Sequence, residues 1–241
     1  MRKFSRPSQA FTLVELLVVL GILVVLAALL FPTLASAKAK GKRTVCINNL
    51  KQVNLAVRMY ADDHDDTIEL PTKMVISPVD YHLFKEQVKR YLALSGPPSR
   101  SESIFACPAD TFYYSAGGYR AAGLHEQAWS DFTSYAFNGM NRRGTNTETG
   151  VAFPGIAGKR LASVREPSKT VLVAEAAALT PYSWHSPARR SGEFRFQDSR
   201  NALSFVDGHV NYVRVYWSGT TNSEAWHYDP PIDYDYKWSD R

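Results

Sequence analysis

The sequence predicts an α+β protein: one long N-terminal α-helix, apolar in its first half and amphipathic in its second, packed on an antiparallel β-sheet in a C-terminal head. Three observations carry this. From Leu16 to Ala37 run 22 residues without a charge, and about 20 apolar helical residues cross the hydrocarbon of a bilayer. Between Cys46 and Tyr60 the apolar residues recur at helical steps. Near the C-terminus, the runs Leu203-Ser-Phe-Val and His209-Val-Asn-Tyr-Val-Arg-Val flank the turn pair Asp207-Gly208.

The helix is preceded by Met1 to Ala10, a short polar stretch with Arg2, Lys3 and Arg6 and no acid. It reads as a leader. An ordinary secretory signal places a short apolar core before a small-residue cleavage site; here the apolar run is longer and the small residue, Ala10, comes first. Glu15 is the one charge near the start of the run. A carboxylate in lipid costs at least a few kcal/mol unless it finds a partner, which marks Glu15 as a candidate functional residue. Pro32 is expected to kink the helix, and Ala35 to Lys42, apart from Gly41, is made of good helix formers and Ser. Cys46, Leu50, Val53, Val57 and Tyr60 then follow at steps of four, three, four and three, the stripe of an amphipathic helix. Asn48, Asn49, Lys51, Gln52, Asn54 and Arg58 fall mostly off it. A single helix from Phe11 to about Ala61 would be roughly 75 Å long at 1.5 Å per residue.

Asp62-Asp63-His64-Asp65-Asp66 ends the helix. Oxygen-rich loops bind calcium, but consecutive residues cannot all aim at one ion, so a solvated exit is the stronger reading. Leu70-Pro71 closes that loop. Pro78 to Tyr91 predicts a short helix bearing Tyr81, Leu83, Phe84, Val88 and Tyr91, broken by Ser95-Gly-Pro-Pro-Ser. Ser134, Tyr135 and Asn138 are expected to pin a loop, and Thr170-Val-Leu-Val-Ala reads as a buried strand. Asp207 and Gly208 suit a type I′ hairpin turn. The stretches 117–129 and 141–158 read as surface loops. The aromatic tail with Trp226, Tyr234, Tyr236 and Trp238 is expected to lie buried across the sheet rather than to offer an exposed contact. Cys46 and Cys107 are the only cysteines; a disulfide, if the head lies outside the cytoplasm, and two buried thiols both remain open.

With 241 residues, 45% of them hydrophobic, the chain has room for one membrane helix and one head of about 200 residues. The formal charge of +5 falls to 5 − 3 = +2 once Arg2, Lys3 and Arg6 leave with the leader, so no nucleic-acid partner is expected. Lys38, Lys40, Lys42 and Arg43 flank the far side of the span, and charge alone does not orient it. No nucleophile-elbow, Walker or HExxH pattern is present. His185, between Trp184 and Ser186 and near Arg189 and Arg190, is the one residue around which a hydrolytic site could be arranged. Asp207 with His209 or Glu175 falls short of a full metal-ligand cluster, so neither a metal nor a cofactor is expected.

Ala10-Phe11-Thr12-Leu13-Val14-Glu15, with the basic leader before it and the apolar helix after it, resembles the type IV prepilin class. That class carries a cut before a Phe, the motif Phe-Thr-Leu-(Val/Ile)-Glu and a long apolar helix. Its members usually have Gly before the cut, where this chain has Ala10. Further landmarks resemble pilin-like proteins abundant in planctomycetes and verrucomicrobia: Cys46-Ile-Asn-Asn-Leu-Lys-Gln, Phe105-Ala-Cys-Pro-Ala-Asp, Ser134-Tyr-Ala-Phe-Asn, Pro167-Ser-Lys-Thr-Val-Leu-Val-Ala-Glu and Val206-Asp-Gly-His-Val. Those proteins are described by a His, nine residues, Asp-Gly signature. Gln197 stands in the place of that His, so no role of the His carries over.

The resemblance implies a pilin or pseudopilin, a structural subunit of a type II secretion or type IV pilus-like filament, with no catalysis of its own. A prepilin peptidase and methyltransferase would cut after Ala10 and methylate the new amino group of Phe11. Glu15 would meet the Phe11 amine of a neighbouring subunit. The partners implied are that peptidase, an inner-membrane assembly platform with its ATPase, and other pilin subunits. The resemblance also places the leader in the cytoplasm and the head in the periplasm, later in a periplasmic or surface filament. Calcium occurs in some relatives of the secretion pseudopilins, and no matching ligand set is seen here. The domain reading is a cleaved leader (1–10), a membrane and filament-core helix (11–37), an amphipathic continuation (38–62) and a head (63–241). Two other classes stay open: a membrane-anchored extracytoplasmic module binding polysaccharide or protein, and an anchored hydrolase dependent on His185.

Overall fold

The computed structural model describes residues 12–69, 81–115, 118–143, 150–186, 195–219 and 224–240. Helix α1 (Leu13–Asp62) is 50 residues of continuous α-helix, and the chain's two compact units divide within it, between Gly41 and Lys42. In the first unit every large apolar side chain from Leu13 to Leu34 is exposed. A helix of this length and apolarity can cross a membrane. Helix geometry continues on both sides of Pro32, whose missing N–H leaves the Ala28 carbonyl without its usual donor.

In the second unit the expected stripe is the buried one: Cys46, Leu50, Val53, Val57 and Tyr60 lie in the core with Ala56 and Ala61. Asn54 departs from its expected place off the stripe. It is buried because its side-chain amide donates to the Phe205 carbonyl at 2.9 Å, tying the helix to the sheet. Arg58 donates to the Asp207 carbonyl at 2.9 Å, and the Arg43 guanidinium lies 4.7 Å from the centre of the Tyr212 ring.

Four antiparallel strands form that sheet, in the order β3 (Tyr135–Phe137), β4 (Val171–Glu175), β5 (Ser199–Phe205) and β6 (Val210–Val215). All five residues of β4 are buried, as a central strand covered on both faces requires. A separate ribbon pairs β1 (Tyr113–Ser115) with β2 (Gly118–Arg120). Helix α2 (Phe84–Val88), continued by a 3-10 turn through Leu92, occupies the end of the region expected to be helical. That region's start at Pro78 lies outside the described residues, as does Leu70-Pro71. The four-residue helix α3 (Ala176–Leu179) follows β4 directly and is buried.

The β5–β6 hairpin has a different turn from the type I′ expected. Phe205 and His209 face each other across three residues, with the Phe205 N–H donating to His209 and the Gly208 N–H to Phe205. Gly208 alone takes a positive φ, +99°, which is the three-residue loop with a glycine bulge. Asp207 stays out of the left-handed region because its carboxylate is held by the His209 backbone and ring, at 3.1 and 2.6 Å, and its carbonyl by Arg58. A Cβ on Gly208 would meet Arg58 Nη1 at 2.4 Å.

Other expectations are also refined. Tyr135 lies in a strand rather than a loop, between Ser134 and Asn138. Asn138 donates to the carbonyls of Val171 and Trp238 at 2.7 and 2.8 Å. The stretches read as surface loops carry buried residues, Leu124 in one and Ile156 and Ala157 in the other. Buried Asp110 draws the first inward by accepting from the N–H groups of Leu124 and His125. The tail is buried through Trp226, Tyr234, Tyr236 and Trp238, and Lys237 pairs in parallel with Thr170 at the start of β4.

His82 is fully buried, with Nδ1 donating to the Tyr135 carbonyl at 3.0 Å. Burial pushes its pKa down to about 4, against smaller upward pulls from that carbonyl and from Asp110. The folded head therefore binds fewer protons here than the unfolded chain. Stability is fully present above about pH 6.5 and is lost, by on the order of 3 kcal/mol, as the pH falls through 4. His125 has the opposite sign: the Asp110 carboxylate raises its pKa, so its contribution is present on the acid side and is lost as pH rises. His82→Asn keeps a donor and cannot titrate. Urea unfolding at pH 7 and pH 4.5 is expected to show a much smaller acid loss in this variant than in the unsubstituted head; an equal loss would exclude His82 as its source.

Candidate functional site

The N-terminal segment is organised around Thr12 and Glu15. Thr12 is the last residue before the helix, and its hydroxyl oxygen accepts the Glu15 N–H at 3.2 Å. In return the Thr12 N–H and hydroxyl both donate to Glu15 Oε2, at 2.9 and 2.8 Å. This is a reciprocal capping box, which satisfies donors that the first helical turn otherwise leaves open. A carboxylate at this end of a helix is also favoured by the helix dipole. Glu15 therefore caps the start of the helix and presents a negative charge at the head of an apolar run. The Thr-x-x-Glu spacing announces the cap in the sequence, although a reading centred on membrane cost passes over it. Ala10 and Phe11 lie outside the described residues.

The remaining candidate residues sit in the second unit. Cys46 and Cys107 form a disulfide, joining α1 to the segment before β1. The acidic run after α1 gathers no common centre. Asp63 accepts from the Tyr91 hydroxyl, Asp66 from the Ala162 N–H, and the His64 ring meets the Tyr60 carbonyl. Asp207 and His209 bond to each other at the hairpin, while Glu175 ends the same β4 strand that begins beside that hairpin. Those three residues therefore form no joint site.

Glu175 is bonded instead to His185, Oε1 to Nε2 at 2.8 Å. Its other oxygen accepts the Ala202 N–H at 2.8 Å. The His185 side chain is 3% exposed and Glu175 is fully buried. An imidazole so enclosed reaches no surface substrate, which leaves the hydrolytic arrangement around His185 without access. The meeting of Glu175 and His185 with the disulfide escaped sequence reading because its members come from separate stretches of the chain with no motif spacing between them.

A model of the prokaryotic N-terminal methylation motif matches residues 5–31, the segment that contains the capping box and most of the membrane-length run. Among characterised proteins, the type IV wide pilus major component PilA4 of Thermus thermophilus is 29% identical over 115 residues. That alignment covers 45% of this chain and 88% of the relative. No solved structure matches. The motif lies where the apolar helix begins, and the α+β head follows the helix as in the architecture expected of a pilin. The chain thus carries the prepilin-type N-terminal methylation motif at the head of a membrane-length apolar helix, and it is similar to a type IV pilin.

Proposed function

We propose that the subunit is inserted in the inner membrane with its leader in the cytoplasm, cut between Ala10 and Phe11, and methylated on the Phe11 amino group. An ATP-driven platform then draws it into a type II secretion or type IV pilus-like filament. The observation that carries this reading is the single charge of Glu15 at the head of a helix whose large apolar side chains from Leu13 to Leu34 are exposed. Such a surface is stable in lipid and, once out of lipid, needs the helices of other subunits to cover it. The disulfide supports a head outside the cytoplasm, since thiols in the cytoplasm are kept reduced. The pilin relative is itself a pilus component by name.

Mass spectrometry of the protein from native membranes and from sheared surface material tests the reading. The expected result is an N-terminus at Phe11 carrying one added methyl group, in both fractions. An intact Met1 terminus confined to membranes would replace the filament subunit with a signal-anchored protein.

A further inference from the structure

One face of the β5–β6 hairpin sets two arginines against each other. Arg200 is directly opposed to Arg214 in the register, and Ala202 to Tyr212, so strand alternation puts all four on the same face. The Cβ atoms of opposed residues lie about 5 Å apart, and like charges so placed repel. Both arginines are exposed. Among the described residues the Arg200 side chain has no hydrogen bond or ion pair. Arg214 has the Asp198 carboxylate at 4.0 Å, the Asp233 carbonyl at 3.5 Å and the Tyr234 ring at 5.2 Å. A third guanidinium, that of Arg43, lies over the ring of Tyr212, two residues along β6 from Arg214. We propose that Arg43, Arg200 and Arg214 form an anion-binding face that takes the phosphate groups of acidic phospholipids in the membrane around the helix.

A guanidinium offers its N–H donors in a planar fork, and a phosphate accepts two of them at once. A phosphate seated between Arg200 and Arg214 turns a repulsive pair into two attractive contacts. The chain itself brings lipid phosphate within reach. Arg43 follows Ala37, the end of the uncharged run, by 43 − 37 = 6 residues, and six residues span at most about 22 Å even when fully extended. That limit holds for any path of the chain. Lys38, Lys40 and Lys42 fall in the same six residues, and no acid occurs from Leu16 to Ala61. Each cation beside a membrane raises the affinity for acidic lipid roughly fivefold. Tyr212 backs the Arg43 guanidinium with a ring of the kind that favours the membrane–water interface. A soluble phosphate has the same chemistry but lacks the tether. The inference rests on the reading of the apolar helix as a membrane anchor.

The test uses the full chain in detergent, with native mass spectrometry counting bound lipid as phosphatidylglycerol or phosphatidylcholine is added. Phosphatidylglycerol is expected to bind about tenfold tighter or better, and Arg43→Gln/Arg200→Gln/Arg214→Gln to lose at least that factor. A control that removes three exposed cations elsewhere on the head, Lys51→Gln/Arg165→Gln/Lys169→Gln, is expected to keep its affinity within about twofold. Near-ultraviolet dichroism checks the fold of each variant. Should the triple variant unfold, Arg200→Gln/Arg214→Gln, which leaves Arg43 on Tyr212, carries the test with an expected loss of roughly fivefold or more. No preference for phosphatidylglycerol, or equal losses in variant and control, would overturn the proposal. Displacement of the lipid by an equal concentration of glycerol 1-phosphate would overturn the assignment to lipid in favour of a soluble phosphate. Flotation with phosphatidylcholine vesicles tests the anchor separately. A chain that floats with and without its three arginines keeps the anchor whatever the lipid titration gives, and a chain that does not float removes the anchor and this proposal with it.

Discussion

Glu15→Ala is expected to remove assembled filament entirely while leaving the head folded. The carboxylate stands at the entry to an apolar helix, and among the described residues it is bonded to Thr12, just before the first turn. Assembly in the proposed filament pairs that charge with the Phe11 amine of a neighbour, and a paired charge is tolerated where a lone one is expelled. The substitution removes both the charge and the capping box. Glu15→Gln separates them, because glutamine serves the capping position almost as well but carries no charge. If the charge drives assembly, both variants leave sheared material at least a hundredfold below the unsubstituted chain, while the membrane pool and the thermal transition of the head are unchanged. Wild-type filament from Glu15→Gln would assign the role of Glu15 to helix capping instead.

Replacing both cysteines, as Cys46→Ala/Cys107→Ala, is expected to carry the largest cost in stability of any change to the head. The bridge spans 61 residues of sequence, and freeing a loop of that size in the unfolded chain corresponds to roughly 4 kcal/mol. For a head of about 200 residues this lowers the melting temperature by roughly 10 °C. Alanine is preferred to serine because both positions are fully buried, and a hydroxyl there would need a new partner. Calorimetry of the variant beside the unsubstituted, disulfide-bonded protein measures the difference. A loss below about 1 kcal/mol would mean that the core holds Cys46 and Cys107 together without the bond.

The long helix and the central strand were legible because burial imposes a period. Cys46 to Tyr60 shows the step of three and four that its buried face requires, and Val171 to Glu175 is continuous apolar chain ending in one acid. Turn chemistry was read less well. Asp-Gly alone favours a two-residue loop, and only the distant Arg58, reaching from α1 to the Asp207 carbonyl, shows why three residues are used. Polar burial was the least visible. Asn54, Asp110 and Glu175 look like surface residues in sequence and lie in the core because backbone N–H and carbonyl groups from far along the chain complete their hydrogen bonds. No local pattern records partners that distant. The N-terminal motif was legible for the opposite reason, since the residues that carry it are contiguous.

The bonds that close the head also set an order of events. Asn54 is joined to a carbonyl 151 residues later, and Asn138 to one 100 residues later, in a tail whose Trp238 is fully enclosed. Contacts between residues so far apart form slowly, because a long loop must close before any of them is rewarded. The long N-terminal helix needs no such wait, because its hydrogen bonds are local. The core of the head therefore stays open until Trp226 to Trp238 are in place to seal it.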